Sequence, residues 1–377
     1  MFVCPHCQAR YGTEEPIWRC TCGSYLNPDF DLPFEPKRIA KDNYSLWRYS
    51  HALPLAPGAS IVTLGEGFTP LLPLSWRGKE ILFKLDYLCP SGSFKDRGTT
   101  LLVSQLETWG IKEVVEDSSG NAGASLATYA ARAGINCTIY VPAKASRGKL
   151  VQIALSGAHL VAVPGSREDT TRAVLTAAEN TFYASHNLSP LFTEGVKTLA
   201  FELAEQLDWS LPDSIIVPAG NGSLVLGLAA GMQQLWKAGV ISTRPRLIAV
   251  QTSACAPLAT AFAAGQTEPA LISKGETLAE GIASSTPPRG HEVLAAVRES
   301  GGTFVTVSEE EIISALLELA RCGIYVEPTS ATVGAALNQC LETGTISRTE
   351  RVVVVLTGSG LKATDKLLEV YGRRLDL

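Results

Sequence analysis

A chain of 377 residues, 46% hydrophobic and 18% charged, is long enough to build two or three packed units. Its net charge of −5, without a block rich in Lys or Arg, argues against nucleic acid or an anionic membrane surface as principal partner. The opening Met1-Phe2-Val3-Cys4-Pro5 has neither the basic nor the apolar region of a secretory signal, and no apolar run approaches the ~20 residues of a membrane span, so a soluble, cytoplasmic protein is expected.

Four of the nine cysteines crowd into the first 22 residues. Cys4-Pro5-His6-Cys7 and, twelve residues on, Cys20-Thr21-Cys22-Gly23 resemble the two knuckles of a zinc ribbon. Such knuckles aim four thiolates at one tetrahedral Zn²⁺, and a glycine beside a knuckle lets the backbone fold tightly. The second pair is spaced by one residue instead of two, His6 is an alternative ligand, and a ribbon without metal is the competing reading. Four protein ligands leave no open position, which makes the role structural. The other five (Cys89, Cys137, Cys255, Cys322, Cys340) stand in apolar surroundings and read as reduced core thiols.

Residues 27–60 hold five prolines (Pro28, Pro33, Pro36, Pro54, Pro57) and the aromatic residues Tyr44, Trp47 and Tyr49, with no sustained periodicity. Aromatics at this density favour an extended arm lying over a partner surface above a solvated linker. From Ile81 onward, short apolar β-branched runs alternate with Ala/Leu-rich stretches of helical spacing. Strands are predicted at 113–116, 137–141, 159–163, 214–217, 247–251, 303–307 and 352–356, and helices over 124–132, 149–156, 170–181 and 224–237. The strands lack in/out alternation, as in parallel sheets covered on both faces. Seven or so βαβ units exceed one compact sheet, so two α/β domains with a cleft between them are expected.

Within this alternation, Ser91-Gly92-Ser93-Phe94-Lys95-Asp96-Arg97-Gly98 joins the strand-like 80–85 to the helix-like 99–106. Open α/β sheets place ligands at such junctions, and burial there lowers a lysine pKa and frees its amine for a Schiff base. Read alone, the stretch is equally a surface loop with a charge run. Three glycine-bearing turns also follow predicted strands: Ser118-Ser119-Gly120-Asn121-Ala122-Gly123, Pro218-Ala219-Gly220-Asn221-Gly222-Ser223-Leu224 and Thr357-Gly358-Ser359-Gly360-Leu361-Lys362. None completes a dinucleotide or Walker A motif, and one such turn is usually only a tight connection. Together with Lys95 they suit an aldehyde cofactor that carries a phosphate, with N–H groups for the phosphate and an amine for the aldehyde.

The order Ser93-Phe94-Lys95-Asp96-Arg97-Gly98, Ser119-Gly120-Asn121, Gly220-Asn221-Gly222 and Thr357-Gly358-Ser359-Gly360 resembles the tryptophan-synthase-β type of pyridoxal-phosphate enzymes, and within it the threonine synthase family. Thr63-Leu64-Gly65-Glu66-Gly67-Phe68-Thr69-Pro70-Leu71, Glu194-Gly195-Val196-Lys197-Thr198, Val326-Glu327-Pro328-Thr329-Ser330-Ala331 and the cysteine segment share the likeness. The resemblance implies an α/β fold of two three-layer, parallel-sheet domains with the cofactor in the cleft, plus a small zinc-ribbon-like segment. The implied division is 1–30 for that segment, 31–97 with 195–377 for the cofactor-binding domain, and 98–194 for the smaller domain. It further implies that Lys95 forms the Schiff base and serves as base, and that Asn121 meets the ring hydroxyl. Gly220, Asn221, Gly222, Ser223 and Leu224 would cradle the phosphate and Thr357 would face the pyridine nitrogen, while Ser118 and Ser119 would grip the substrate. Cys4, Cys7, Cys20 and Cys22 would hold the metal, and a homodimer acting on a small amino acid is implied.

Two departures stand out. Threonine synthases usually carry threonine and serine after the asparagine of the first turn, where this chain has Ala122 and Gly123. Their asparagine-rich turn is here His186-Asn187-Leu188-Ser189-Pro190. Losing two hydrogen bonds to a charged phosphate would cost roughly 3–6 kcal/mol unless replaced. Arg147, Lys149 and Arg167 are candidates to supply that charge. The expected activity is conversion of O-phospho-L-homoserine and water to L-threonine and phosphate. A threonine/serine ammonia-lyase or related β-eliminating enzyme is the alternative, and a nucleotide-binding regulatory protein is the reading outside enzymes.

Overall fold

The computed structural model describes residues 1–56, 58–143 and 147–371, and only the backbone of 147–149. The chain opens with the short strands β1 (Phe2–Val3), β2 (Arg10–Tyr11) and β3 (Asn27–Pro28), followed by a 3-10 segment at Leu46–Ala52. Strands β4 (Leu71–Trp76) and β5 (Lys79–Lys84) lead to helix α1 (Asp96–Thr108). Then come β6 (Glu113–Glu116), α2 (Asn121–Ala133), β7 (Asn136–Pro142), α3 (Arg147–Leu155), β8 (His159–Val163), α4 (Arg167–Ala177) and β9 (Phe182–Tyr183). Helices α5 (Pro190–Val196) and α6 (Thr198–Gln206) precede β10 (Ser214–Pro218), α7 (Ser223–Lys237), β11 (Arg246–Thr252) and α8 (Pro257–Ala263). The chain ends with α9 (Gly290–Glu299), β12 (Thr303–Val307), α10 (Glu309–Arg321), α11 (Pro328–Glu342), β13 (Val352–Val355) and α12 (Thr364–Tyr371).

The helices of the first half begin earlier than apolar spacing predicts, at Asp96, Asn121 and Arg167 instead of residues 99, 124 and 170. Their first turns are polar or small. At α4 the reason is explicit: Ser166 and Asp169 form a capping box, each side chain satisfying the other's backbone N–H.

The chain divides into two compact units, Met1–Gly67 with Cys89–Thr198 and Phe68–Leu88 with Leu199–Leu377. The arm and the Lys95 stretch, residues 31–67 and 89–97, therefore group with 98–198. In the first unit a four-stranded parallel sheet runs β8-β7-β6-β9, and β2-β1-β3 form a separate antiparallel sheet. Leu102 and Leu106 of α1, Leu126 and Tyr129 of α2, and Ile139 of β7 share one core, which Phe2, Cys4, Cys20 and Leu26 join. The cysteine segment is thus packed into this unit. The arm packs there too: Leu46, Trp47 and Leu53 bury against Leu101, and the Trp47 indole donates to Glu66 (2.8 Å).

The second unit holds a six-stranded sheet in the order β12-β11-β10-β13-β5-β4. It is parallel except at β4, which pairs antiparallel with β5, so the sheet is mixed where an all-parallel one was expected. Arg77 and Gly78, both at positive φ (49° and 78°), make the two-residue turn whose twist suits a hairpin. The central strands β10 and β13 are buried along their whole length, as double coverage demands. Helices α7, α9 and α11 pack on this sheet, with Ile216, Ile248, Val354 and Leu337 in its core. Among the described residues no helix is long and apolar enough to cross a membrane.

Candidate active site

In the first unit, Lys95 stands one residue ahead of α1 with helical backbone angles. Its carbonyl accepts the N–H groups of Gly98 (3.1 Å) and Thr99 (3.0 Å), so the lysine is welded to the helix start. Asp96 locks the turn before it. Its carboxylate accepts from the Ser91 N–H (2.7 Å), the Ser91 hydroxyl and the Ser125 hydroxyl (2.6 Å). Burial pushes the Asp96 carboxyl up to about 6 despite these donors. The Lys95 ammonium lies over two rings, 4.8 Å from the centroid of Phe94 and 5.5 Å from that of Phe192.

Strand β6 ends in Glu116, and the turn Asp117–Gly120 leads into α2. Asp117 is fully engaged: Arg167 pairs with it at 3.0 Å, and the hydroxyls of Thr171 and Tyr183 each donate at 2.8 Å. Arg167 thus neutralises a buried carboxylate through one of its guanidinium nitrogens. Glu116 Oε1 and His186 Nδ1 are hydrogen-bonded at 2.7 Å. Burial, then the neighbouring Asp117 charge, raises the Glu116 carboxyl well above its ordinary range, and burial, then Lys95, holds the imidazole well below its own. Ser118 and Ser119 are half-buried in the turn, with the Ser118 hydroxyl accepting from the Gly120 N–H (3.3 Å). Asn121 begins α2. Gly123 cannot be replaced by a hydroxyl-bearing residue without backbone movement, since a Cβ there would sit 1.8 Å from the Ser118 carbonyl oxygen.

In the second unit, β10 ends at Pro218 and the turn 219–222 enters α7. The first N–H groups of a helix have no partner within it, and they face whatever the turn encloses. Gly222 makes this entry with φ +86°, and a Cβ on it would lie 2.1 Å from Val293 Cγ2. The Asn221 side chain is held from Ser284, whose hydroxyl donates to Asn221 Oδ1 at 2.6 Å. Ser223 and Leu224 are buried in the first turn of α7. After β13, the buried Thr357 hydroxyl lies 3.0 Å from Ser330 Oγ, which also accepts the N–H groups of Thr357 (3.0 Å) and Gly358 (2.7 Å).

Residues 62–358 match the model of a family described as pyridoxal-phosphate dependent enzyme. The chain belongs to the pyridoxal-phosphate dependent enzymes. It is 36% identical over 375 residues to threonine synthase of Methanocaldococcus jannaschii, covering 96% of this chain and 93% of that protein. Threonine synthase of Mycobacterium tuberculosis is 35% identical over 329 residues, 85% of this chain and 89% of that one. Among solved structures, serine racemase from Dictyostelium discoideum superposes with a TM-score of 0.62 at 26% identity, over 77% of this chain and 92% of that chain.

The residues of this pyridoxal-phosphate dependent enzyme fit the cofactor's chemistry. A primary amine at a helix start suits its aldehyde, a glycine-lined turn of N–H groups suits its phosphate, and a buried hydroxyl suits its ring nitrogen. Lys95, Ser118, Ser119 and Asn121 belong to the first unit, and Gly220, Asn221, Gly222, Ser223, Leu224 and Thr357 to the second. Arg147 and Lys149 lie on α3, with side chains outside the described ones. Sequence reasoning passed over Ser330, which stands in the quoted 326–331 motif, and Glu116 and His186, which are 70 residues apart and meet only through folding.

The four N-terminal thiols also converge. The sulfurs of Cys4, Cys7, Cys20 and Cys22 all lie within 4.8 Å of one another, with Cys4 and Cys22 at 3.6 Å and Cys7 and Cys20 at 3.4 Å. Sulfurs about 2.3 Å from a tetrahedral zinc would be about 3.8 Å apart, so this donor set fits the ion. His6 is exposed and outside the group.

Proposed function

We propose that this enzyme is a threonine-synthase-like lyase that converts O-phospho-L-homoserine and water to L-threonine and inorganic phosphate. The observation that carries the reading is the 36% identity to a threonine synthase across 96% of the chain. When bound, pyridoxal phosphate supplies an electron sink for the carbanion at the substrate's α-carbon.

The protein's own groups do the rest. Lys95 would hold the cofactor through its amine and, once displaced, take protons from Cα and Cβ, a role supported by its fixed place at the start of α1. Main-chain N–H groups of 220–224 would bind the cofactor phosphate, and Asn121 would donate to the ring hydroxyl. Ser330 has one hydroxyl proton and two acceptors in reach, Thr357 Oγ1 at 3.0 Å and the Gly358 carbonyl at 3.2 Å; given to Thr357 Oγ1, it would leave the Thr357 proton for the ring nitrogen. A neutral hydroxyl there does not hold that nitrogen protonated, which suits elimination and replacement above transamination. Ser118 and Ser119, with Arg147 and Lys149 of α3, are the proposed contacts to the substrate's carboxylate and phosphate. Water adds at Cβ after phosphate has left Cγ.

The four clustered thiols support a structural zinc in the N-terminal segment. Purified protein should contain about one zinc per chain, and its absence by elemental analysis would remove the proposal. A cytoplasmic homodimer completes the reading.

One observation favours a second reading. Ala122 and Gly123 offer no hydroxyls to a phosphate and Arg167 is paired with Asp117, which a β-eliminating enzyme acting on serine or threonine would tolerate. A panel following phosphate, ammonia and keto-acid release from the holoenzyme separates the two. Phosphate with stoichiometric threonine supports the first, and ammonia with keto acid but no phosphate supports the second.

A further inference from the structure

The two knuckles of the N-terminal segment are not built alike. In each, the residue after the second cysteine turns the chain back in a left-handed conformation, Gln8 at φ 62° and Gly23 at φ 89°. The Cys4 carbonyl accepts the Gln8 N–H (3.0 Å), and the Cys20 carbonyl accepts the Gly23 N–H (2.8 Å). The first knuckle also serves its buried sulfur from the main chain, since the Cys7 N–H donates to Cys4 Sγ at 3.4 Å. The second is one residue shorter. Besides the Cys22 N–H that turns toward Cys20, a side chain from outside the knuckle reaches that sulfur, the Tyr11 hydroxyl at 3.1 Å.

The fold holds Tyr11 for this contact. It ends β2 and pairs with Phe2 of β1, whose ring is buried in the core of the first unit, and the Tyr11 ring packs against the same core. Its oxygen accepts the Thr21 N–H at 3.1 Å. The hydroxyl has one proton to give and two acceptors in reach, Cys20 Sγ at 3.1 Å and the exposed Thr21 Oγ1 at 3.3 Å. A thiolate decides between them, because it is charged and can only accept. Cys20 also needs a donor. Cys4 and Cys20 are buried in the core shared with Leu102, Leu106, Leu126 and Tyr129, whereas Cys7 and Cys22 are exposed. Four thiolates around one divalent ion carry more negative charge than the ion cancels, and water reaches only the exposed pair, so protein donors must serve the buried two.

We propose that Tyr11 is a positioning residue of the metal site: its O–H donates to the Cys20 thiolate while its oxygen holds the Thr21 N–H, so that the short knuckle keeps its grip on the ion. Tyr11 thereby ties β2 to a knuckle nine residues further along, and supplies from a side chain a donor to match the Cys7 N–H of the longer knuckle. Outer donors of this kind fix the orientation of a metal ligand and tune its donation to the ion. The consequence extends past the segment. Cys4 and Cys20 share a core with α1 and α2, so the hold on the ion bears on the unit that carries Lys95 and Asn121.

This role rests on the structural zinc proposed above, and the experiment separates the two. Full-length holoenzyme is loaded with zinc, and transfer of the ion to a chromophoric chelator is followed for wild type and for Tyr11→Phe, which keeps the ring and removes only the hydroxyl. Zinc affinity should fall by about tenfold to a hundredfold in the variant. Cobalt(II) in place of zinc gives a readout that packing alone does not move. An O–H donor lowers the energy of the sulfur lone pairs, so its loss should shift the thiolate-to-cobalt charge-transfer band to longer wavelength. Fluorotyrosine at position 11, a more acidic and stronger donor, should shift the band to shorter wavelength, and it decides the matter should Tyr11→Phe not fold. Wild-type affinity with an unmoved cobalt band in Tyr11→Phe, or an unmoved band with fluorotyrosine, overturns the proposal and leaves the zinc reading standing. Wild-type protein that takes up neither zinc nor cobalt overturns both.

Discussion

Replacing Ser330 by alanine tests how the second unit builds its end of the site. Ser330 is fully buried, and its oxygen accepts two main-chain N–H groups, from Thr357 at 3.0 Å and Gly358 at 2.7 Å, while contacting the Thr357 hydroxyl at 3.0 Å. The Ser330→Ala variant leaves both donors buried without a partner, at about 1–3 kcal/mol each, so a loss of about 2–6 kcal/mol is expected. A water entering the vacated space would bring the loss toward the lower end. Native-state hydrogen exchange at the amides of β10 and β13 reads this unit alone, and cofactor absorbance reports whether Thr357 still orients its hydroxyl. A drop below about 1 kcal/mol with an unaltered cofactor spectrum would refute the reasoning, because two stranded N–H groups cannot cost so little.

Gly222→Ala places a Cβ at φ +86° and 2.1 Å from Val293 Cγ2, so cofactor affinity should fall at least tenfold in a fluorescence titration. Adding Val293→Ala should recover only part of it, since the backbone strain remains. Lys84→Met leaves Glu202, fully buried and otherwise bonded to the Phe68 N–H (2.7 Å) and the Thr69 hydroxyl (3.3 Å), without its cation. The cost should be about 3–5 kcal/mol in chemical denaturation, largely recovered when Glu202→Leu is added, and a single variant as stable as wild type would contradict it. Asp96 titrates near 6 in the fold against 3.8 in the open chain. A raised carboxyl binds its proton more tightly when folded, so its contribution is present below pH 4 and is lost as pH rises through 6, by roughly 3 kcal/mol. Asp96→Asn should flatten the stability curve between pH 4 and 6; an unchanged slope would show that the carboxyl is not the source.

What was legible in the sequence follows from the range of the interactions. Strands β6, β8 and β12 are short runs centred on apolar, mostly β-branched residues between turns and lie where the runs predict, because each pattern is local. Helix starts were obscured by polar or small first turns, as at Asp96, whose buried carboxylate is bonded to Ser91 and Ser125, and at Asn121, which Ala122 and Gly123 follow. Strand β4 went unread because Pro73 argues against a strand, although Leu72, Leu74 and Trp76 alternate with the exposed Pro73 and Ser75 and Arg77-Gly78 marks the turn. The place of Lys95 at the start of a helix was readable from its junction. Ser330 was not, since its meaning comes from a contact with Thr357, 27 residues away. Glu116 and His186 depend on the parallel register of β6 and β9, which no local pattern encodes.

The position of β5 bears on how the chain is made. This strand is flanked in its sheet by β4, synthesised just before it, and by β13, at Val352–Val355 near the end of the chain. The hairpin emerges from the ribosome early, with an edge that stays open until almost everything else has been translated. Residues through Thr198 contain all of the first unit and can complete it while that edge waits. The second unit must close its sheet last, across a sequence separation that makes the step slow and exposes a strand to wrong partners meanwhile. Truncation just before β13 should therefore leave the first half of the chain folded and the hairpin aggregation-prone.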